Sequence, residues 1–257
     1  MTNYQKFIAF YTLVRRELIR MFRISSQVFL PPVITTTLYF LIFGKLIGGR
    51  IGDIGGVNYP TFIAPGLIMM TVITNAYGNV SSSFYSIRFQ KNVEEMLVSP
   101  MSYGILLSGF IMGGMLRGII VGFLVFLVSC FFVSYELHHW LITLLVLILV
   151  SAVFSLAGFT NAMLAKSFDD VMIIPTFVLT PLTYLGGVFF STSMLSPVWE
   201  TISYFNPILY MVNAFRYGML GYSSVNIYAA LSMITIFVIL FWFINIVMMN
   251  RGIGLRD

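Results

Sequence analysis

The side chains that could do chemistry fall into a few adjacent groups: Glu94-Glu95, Asp169-Asp170, His138-His139, the single Cys130 and the pair Gly44-Lys45. The carboxylates of Asp169-Asp170 suggest metal or acid-base work, which needs further ligands converging on them, and no His or Cys stands nearby in the sequence. A loop ion cluster with Lys166 accounts for them more simply. His138-His139 adjoins Trp140 in a short connection, where an interfacial position fits better than catalysis or metal binding. Cys130 has no partner for an intrachain disulfide and lies in an apolar stretch, as a small lipid- or core-facing residue. A phosphate-cradling loop requires Gly, four residues, then Gly-Lys-Ser/Thr. The only Gly-Lys pair, Gly44-Lys45, runs into Leu46, so ATP is not bound there in that mode.

What must position these groups is set by composition. Of 257 residues, 59% are hydrophobic and 9% charged, against about 25% charged in a soluble domain. The mean hydropathy is +0.94, and such a chain belongs in a bilayer. At roughly 20 residues per transmembrane helix, this length holds six or seven spans and leaves no room for a separate catalytic or nucleotide-binding domain. The net charge of +5 is a topology signal, because Lys6, Arg15, Arg16, Arg20 and Arg23 precede the first long apolar run without the basic and aromatic interleaving of a nucleic-acid surface. The first 23 residues interleave charged and apolar positions, unlike a cleaved signal.

A window of about 19 residues gives six spans: Val28–Leu46, Phe62–Ser82, Gly104–Phe132, His139–Ala165, Val171–Phe190 and Asn226–Met249. They predict an all-α polytopic membrane protein, a single domain over 1–257 with a surface helix over 1–24, a membrane region over 25–249 and a tail over 250–257. No internal repeat or low-complexity tract is present. With the N-terminus cytoplasmic, Lys6, Arg15, Arg16, Arg20, Arg23, Arg88, Lys91, Lys166, Arg251 and Arg256 fall inside. Lys45, Arg50 and Arg216 fall outside, and Arg117 lies within a span. Ten against three follows the positive-inside rule, and six spans return both termini to the cytoplasm.

Before the first span, Phe7, Phe10, Tyr11, Val14, Leu18, Met21 and Phe22 recur at helical spacing, with Arg16, Arg20 and Arg23 opposite. This predicts an amphipathic helix on the inner membrane surface, facing anionic lipid, a cytoplasmic partner or both. Between Phe190 and Asn226 the chain is too long for a turn and too short for a further helical pair. Asn206-Pro207 opens a helix there. The run Ile208 to Leu220, roughly 20 Å at 1.5 Å per residue, predicts a half-membrane or interfacial outer helix, with Trp199, Tyr204, Tyr210, Tyr217 and Tyr222 at headgroup level. Pro175, Pro181, Gly186 and Gly187 predict a bent fifth span. Gly109, Gly113, Gly114, Gly118 and Gly122 predict close packing of the third. That span is long enough for Arg117 to snorkel, with lining of a polar path as the alternative.

Asn206-Pro207, followed by Ala214-Phe215-Arg216 and Gly221, resembles the motif before the last span of ABC-2 type exporter permeases. The connection Arg88 to Pro100, with Arg88, Glu94, Leu97 and Pro100 at family positions, is similar to the cytoplasmic coupling segment of that family. Phe89, Lys91 and Asn92 depart from the Glu and Gly-Thr often found there. The resemblance covers essentially the whole chain. It implies the permease subunit of an ATP-binding cassette exporter in the inner membrane, dimerising with a second copy of itself and served by two copies of a separate cytoplasmic ATPase. ATP and magnesium would sit in that partner, with no cofactor on this chain and no nucleic acid.

The resemblance further implies that a short helix from about Phe89 to Leu97 couples to the ATPase through Arg88, Lys91, Glu94, Glu95 and Leu97, flanked by Arg15, Arg16 and Arg20. The alternative for the acids is a solvated loop. The second and fifth spans would line a path at the dimer centre through Asn75, Tyr77, Asn79, Thr176, Thr180, Thr183 and Tyr184, with ordinary interhelical hydrogen bonding as the alternative. The cargo would be an amphipathic drug, lipid or glycan. A polytopic lipid or glycosyl transferase would need acids or histidines clustered at one face, and an ion-coupled carrier would bury acids in its spans. The nine acids here map to loops or span ends.

Overall fold

The computed structural model describes residues 2–255 other than Gly55 and Glu136, and leaves out the side chains of residues 45–47, 50 and 51. The side chains of Lys45 and Arg50, and Arg256, therefore lie outside the described residues. Helix α1 (Asn3–Arg23) opens on a capping box, Thr2 Oγ1 accepting from the Gln5 N–H and Gln5 Oε1 from the Thr2 N–H. A break at Ile24 leads to α2 (Ser25–Tyr39), which continues in π-helical turns over Phe40–Ile47. A short α3 (Gly48–Ile51) and a small antiparallel hairpin of β1 (Asp53–Ile54) and β2 (Val57–Asn58) lead into α4 (Tyr59–Phe89). Then come α5 (Asn92–Val98), α6 (Tyr103–Ser129) and α7 (Trp140–Leu164). The fifth span is α8 (Phe168–Ile174), a π-helical turn over Pro175–Leu179 and α9 (Thr180–Leu185). A short 3-10 turn over Thr192–Met194 precedes α10 (Pro197–Tyr204), α11 (Pro207–Leu220) and α12 (Ile227–Asn250).

Among the described residues six helices are long and apolar enough to cross a membrane: α2 with its extension, α4, α6, α7, α8 with α9, and α12. The fold is the all-α polytopic one the composition requires. Helix α4 is its axis, with 72% of its apolar window buried against 17% for the first, fifth and sixth spans. It runs seven residues past the expected end at Ser82, because hydropathy marks where lipid contact stops and not where the helix does. Ser82 and Ser86 donate to the carbonyls of Gly78 and Ser82, so these polar residues satisfy their hydroxyls on the helix itself.

The glycines of α6 find two neighbours. A Cβ at Gly109 or Gly113 would lie 2.6 Å from the Cβ of Leu13 or Glu17 on α1, whereas Gly114, Gly118 and Gly122 face Val80, Ala76 and Val72 on α4. The fifth span passes into π-helical turns where Pro175 lacks the N–H that would bond the Val171 carbonyl, and Asn161 Nδ2 of α7 takes that carbonyl at 2.9 Å. On α12, Asn245 Nδ2 donates to the Leu156 carbonyl of α7 at 3.1 Å and its Oδ1 accepts from Thr160 at 3.0 Å.

Three expectations are corrected. Glu17 is neither at a loop nor at a span end in contact with solvent: Leu13, Glu17 and Met21 form the buried stripe of α1 against α6, and Glu17 fits because Gly113 leaves room for it. The segment before the last span does hold a helical pair, α10 and α11, because neither helix has to cross the bilayer and only Phe205 and Asn206 separate the two. Asp170 makes no ion pair with Lys166 within 4 Å and instead caps α8, its Oδ2 accepting from the Lys166 and Ser167 N–H groups at 2.9 and 3.1 Å. Cys130 stands at the C-terminal cap of α6, uncovered by the rest of the protein.

Candidate functional site

At the end of α4 the chain reverses through Lys91, whose left-handed φ of 60° is the only positive value at a non-glycine among the described residues. That places α5 across the end of the bundle, with Val93 buried and Met96 and Leu97 packed on the core that includes Tyr85 and Phe159. Glu94 and Glu95 stay exposed on its outer side, beside Phe89 (65% exposed) and Val98 (87%). Arg88 turns inward. Its Nη1 donates to the carbonyls of Ala162 and Met163 at 2.9 and 2.7 Å, and its guanidinium stacks 5.7 Å from the Tyr85 ring centroid, so it closes the C-terminus of α7.

Of the three arginines expected to flank that surface, only Arg15 is exposed. Arg16 and Arg20 each place Nη2 3.0 Å from a carboxylate oxygen of Glu17, and Ser83 Oγ of α4 donates to the same carboxylate at 2.8 Å. Arg20 also donates to Asn79 Oδ1 at 2.7 Å and to the Asn79 carbonyl at 3.0 Å. From α6, Arg117 reaches Asn75 Oδ1 and Asn79 Oδ1, each at 3.4 Å. Arg117 is thus half-buried between α6 and α4, with two amides one turn apart on α4 as its partners.

The second and fifth spans divide the expected path residues. Asn75 lines a cleft of about 310 Å³ between α2 and α4, with Gln27, Thr35, Thr36, Tyr39, Thr71 and Thr74 around it. Asn79 lies one turn below, under Arg20 and Arg117. Tyr77 points the other way, into an almost wholly apolar cavity of about 250 Å³ walled by α7, the fifth span, α11 and α12. On the fifth span Thr176 is exposed. Thr180 and Thr183 turn their hydroxyls back onto the carbonyls of Pro175 and Leu179 at 2.9 and 2.7 Å. Tyr184 meets Tyr39 of α2, hydroxyl to hydroxyl, at 3.3 Å.

The outer motif is a set of backbone devices. Asn206 caps α11 through the Ile208 N–H at 3.0 Å and donates to the Leu182 carbonyl at 2.6 Å, while Pro207 fills the first helical position. Arg216 is buried, with 1% of its surface exposed. It donates through Nη2 to the Gly187 carbonyl at 2.6 Å and through Nε to the Phe62 carbonyl at 3.2 Å, and lies 4.0 Å over the Phe62 ring. Gly221 ends the helix at φ 74°, against His138, and the His138 and His139 N–H groups donate to the carbonyls of Met219 and Gly218.

The family model described as ABC-2 type transporter matches residues 8–220, from within α1 to the last residue of α11. The chain belongs to the ABC-2 type transporter family. It is 49% identical over 250 residues to the inner membrane transport permease YadH of Escherichia coli K12, an alignment covering 97% of this chain and 98% of that one. It is also 23% identical over 238 residues to nodulation protein J of Neorhizobium galegae, covering 92% and 91% of the two chains. The corresponding protein of Rhizobium leguminosarum bv. trifolii is 24% identical over 215 residues, covering 83% and 82%.

Within this family fold, the sequence points to the segment Arg88 to Pro100 and to the motif around Asn206 and Arg216, but misses the α2 side of the cleft. Thr35, Thr36 and Tyr39 sit in an apolar run, and only a helical register placing 28, 32, 35, 36 and 39 on one face would have singled them out. Glu17 carries no such signal, because its burial depends on a glycine about a hundred residues away.

Proposed function

We propose that the chain pairs with a second copy of itself to form the translocation path of an inner-membrane exporter. Two copies of a separate cytoplasmic ATPase, carrying ATP and magnesium, would drive it, and both termini face the cytoplasm. Family membership makes it a transport permease, of a kind that normally works with an ATP-binding subunit. The inner-membrane assignment follows the relative named as an inner membrane transport permease. The cargo is an amphipathic drug, lipid or glycan.

The observation that carries this reading is the two-sided construction of α5. Val93 seats the helix on the bundle while Glu94, Glu95, Phe89 and Val98 are left on the outer side, at the end of the central helix α4. A displacement imposed on α5 is passed to α4 through Lys91, and α4 forms one wall of the cleft that holds Thr71, Thr74 and Asn75. Arg88 and Leu97 hold the segment in place, and Glu94, Glu95 and Lys91 present the contact charges. Purification from native membranes should bring down an ATPase subunit, and E94A/E95A should lose that association and transport while remaining folded. If no ATPase accompanies the wild type, and none stimulates transport on reconstitution, the reading fails.

A further inference from the structure

Along one face of α1, Thr12, Arg15, Arg16, Arg20 and Arg23 border a groove of about 380 Å³. Four guanidiniums and one carboxylate, Glu17, share this stretch, leaving an excess of three positive charges. The carboxylate is already engaged by Arg16, Arg20 and Ser83. Arg15 and Arg23 have no carboxylate within 4 Å among the described residues. Behind the groove Arg117 shares Asn79 Oδ1 with Arg20, so two like charges meet on a single amide oxygen. An anion in the groove would relieve that repulsion and meet guanidiniums already oriented by Glu17 and Asn79.

The flanks of the same helix decide what carries the anion. Phe7, Tyr11, Ile19 and Phe22 are 49 to 64% exposed, two of them directly beside the arginines, as on a helix that sinks an apolar face among acyl chains. A soluble anion or an acidic protein surface would have no use for that apolar border. We propose that α1 holds a discrete site for the phosphate headgroup of an anionic lipid, bound by Arg15, Arg16, Arg20 and Arg23 with Thr12 at its rim. The site rests on the permease reading only in placing α1 at the inner membrane face.

Native mass spectrometry of the detergent-solubilised protein, titrated with phosphatidylglycerol or phosphatidylcholine, tests it. The wild type should retain phosphatidylglycerol in preference. R15Q/R23Q keeps both ion pairs to Glu17, and at about 1 kcal/mol for each basic residue near a lipid surface it should bind phosphatidylglycerol roughly thirtyfold more weakly. Retention in the variant equal to wild type, or equal retention of the two lipids by the wild type, overturns the site. Displacement of the lipid by low-millimolar inorganic phosphate would mark a free-phosphate site and overturn the lipid assignment. Loss of ATPase association in R15Q/R23Q with lipid retention unchanged would give the arginines to the protein partner instead. The lipid-retention readouts need no ATPase, so failure of the coupling reading at Glu94 and Glu95 would be seen separately.

Discussion

Arg216 has no carboxylate within 4 Å among the described residues and is held by the Phe62 and Gly187 carbonyls, the Asn213 amide oxygen and the face of Phe62. Its planar fork lets Nε and Nη2 serve Phe62 and Gly187 at once, joining the start of α4 to the chain after α9. A lysine offers one point donor and cannot span both, so Arg216→Lys should destabilise the protein by about 2 kcal/mol, read from thermal unfolding in detergent. Glycines give the matching test of packing. Gly104→Ala has open space around the new methyl group and should stabilise α6 by about 0.5 kcal/mol or leave it unchanged. Gly114→Ala sets a methyl group against Val80, Ser155 and the Ala76 carbonyl, and should cost about 1–3 kcal/mol. The sequence makes both glycines look alike; only the approach of α4 separates them.

The elements are joined by side chains that answer carbonyls left over by their neighbours. Asn161 serves the carbonyl freed by Pro175, Arg88 closes the end of α7, and Asn245 ties α12 to α7. Asn161→Ala should therefore loosen the fifth span from α7 without melting the bundle, seen as faster amide exchange confined to α8 and the turn after it. The spans themselves were legible because twenty apolar residues in a row have one physical solution. Their partners were not, because an asparagine in an apolar run looks the same whichever helix it serves. The short helix after α4 is legible in the sequence but shifted in place, Asn92–Val98 against an expected start near Phe89, since Lys91 takes a left-handed turn that no propensity favours.

For the whole molecule, the uneven burial of the spans is the informative quantity. The first, fifth and sixth spans leave most of their length uncovered, and α2 and the fifth span meet at Tyr39 and Tyr184 beside the α2–α4 cleft. If two copies close that cleft into a path, Thr74→Phe should stop transport while ATPase association stays at the wild-type level, a split that co-purification and a transport assay resolve together. The single thiol of the sequence adds one further property. Cys130 is exposed where α6 ends, at the far end of that span from α5. The protein thereby carries its own reporter of sidedness: a membrane-impermeant maleimide added to intact cells should label it without any engineered residue, and labelling that required broken cells would invert the assigned orientation of every span at once.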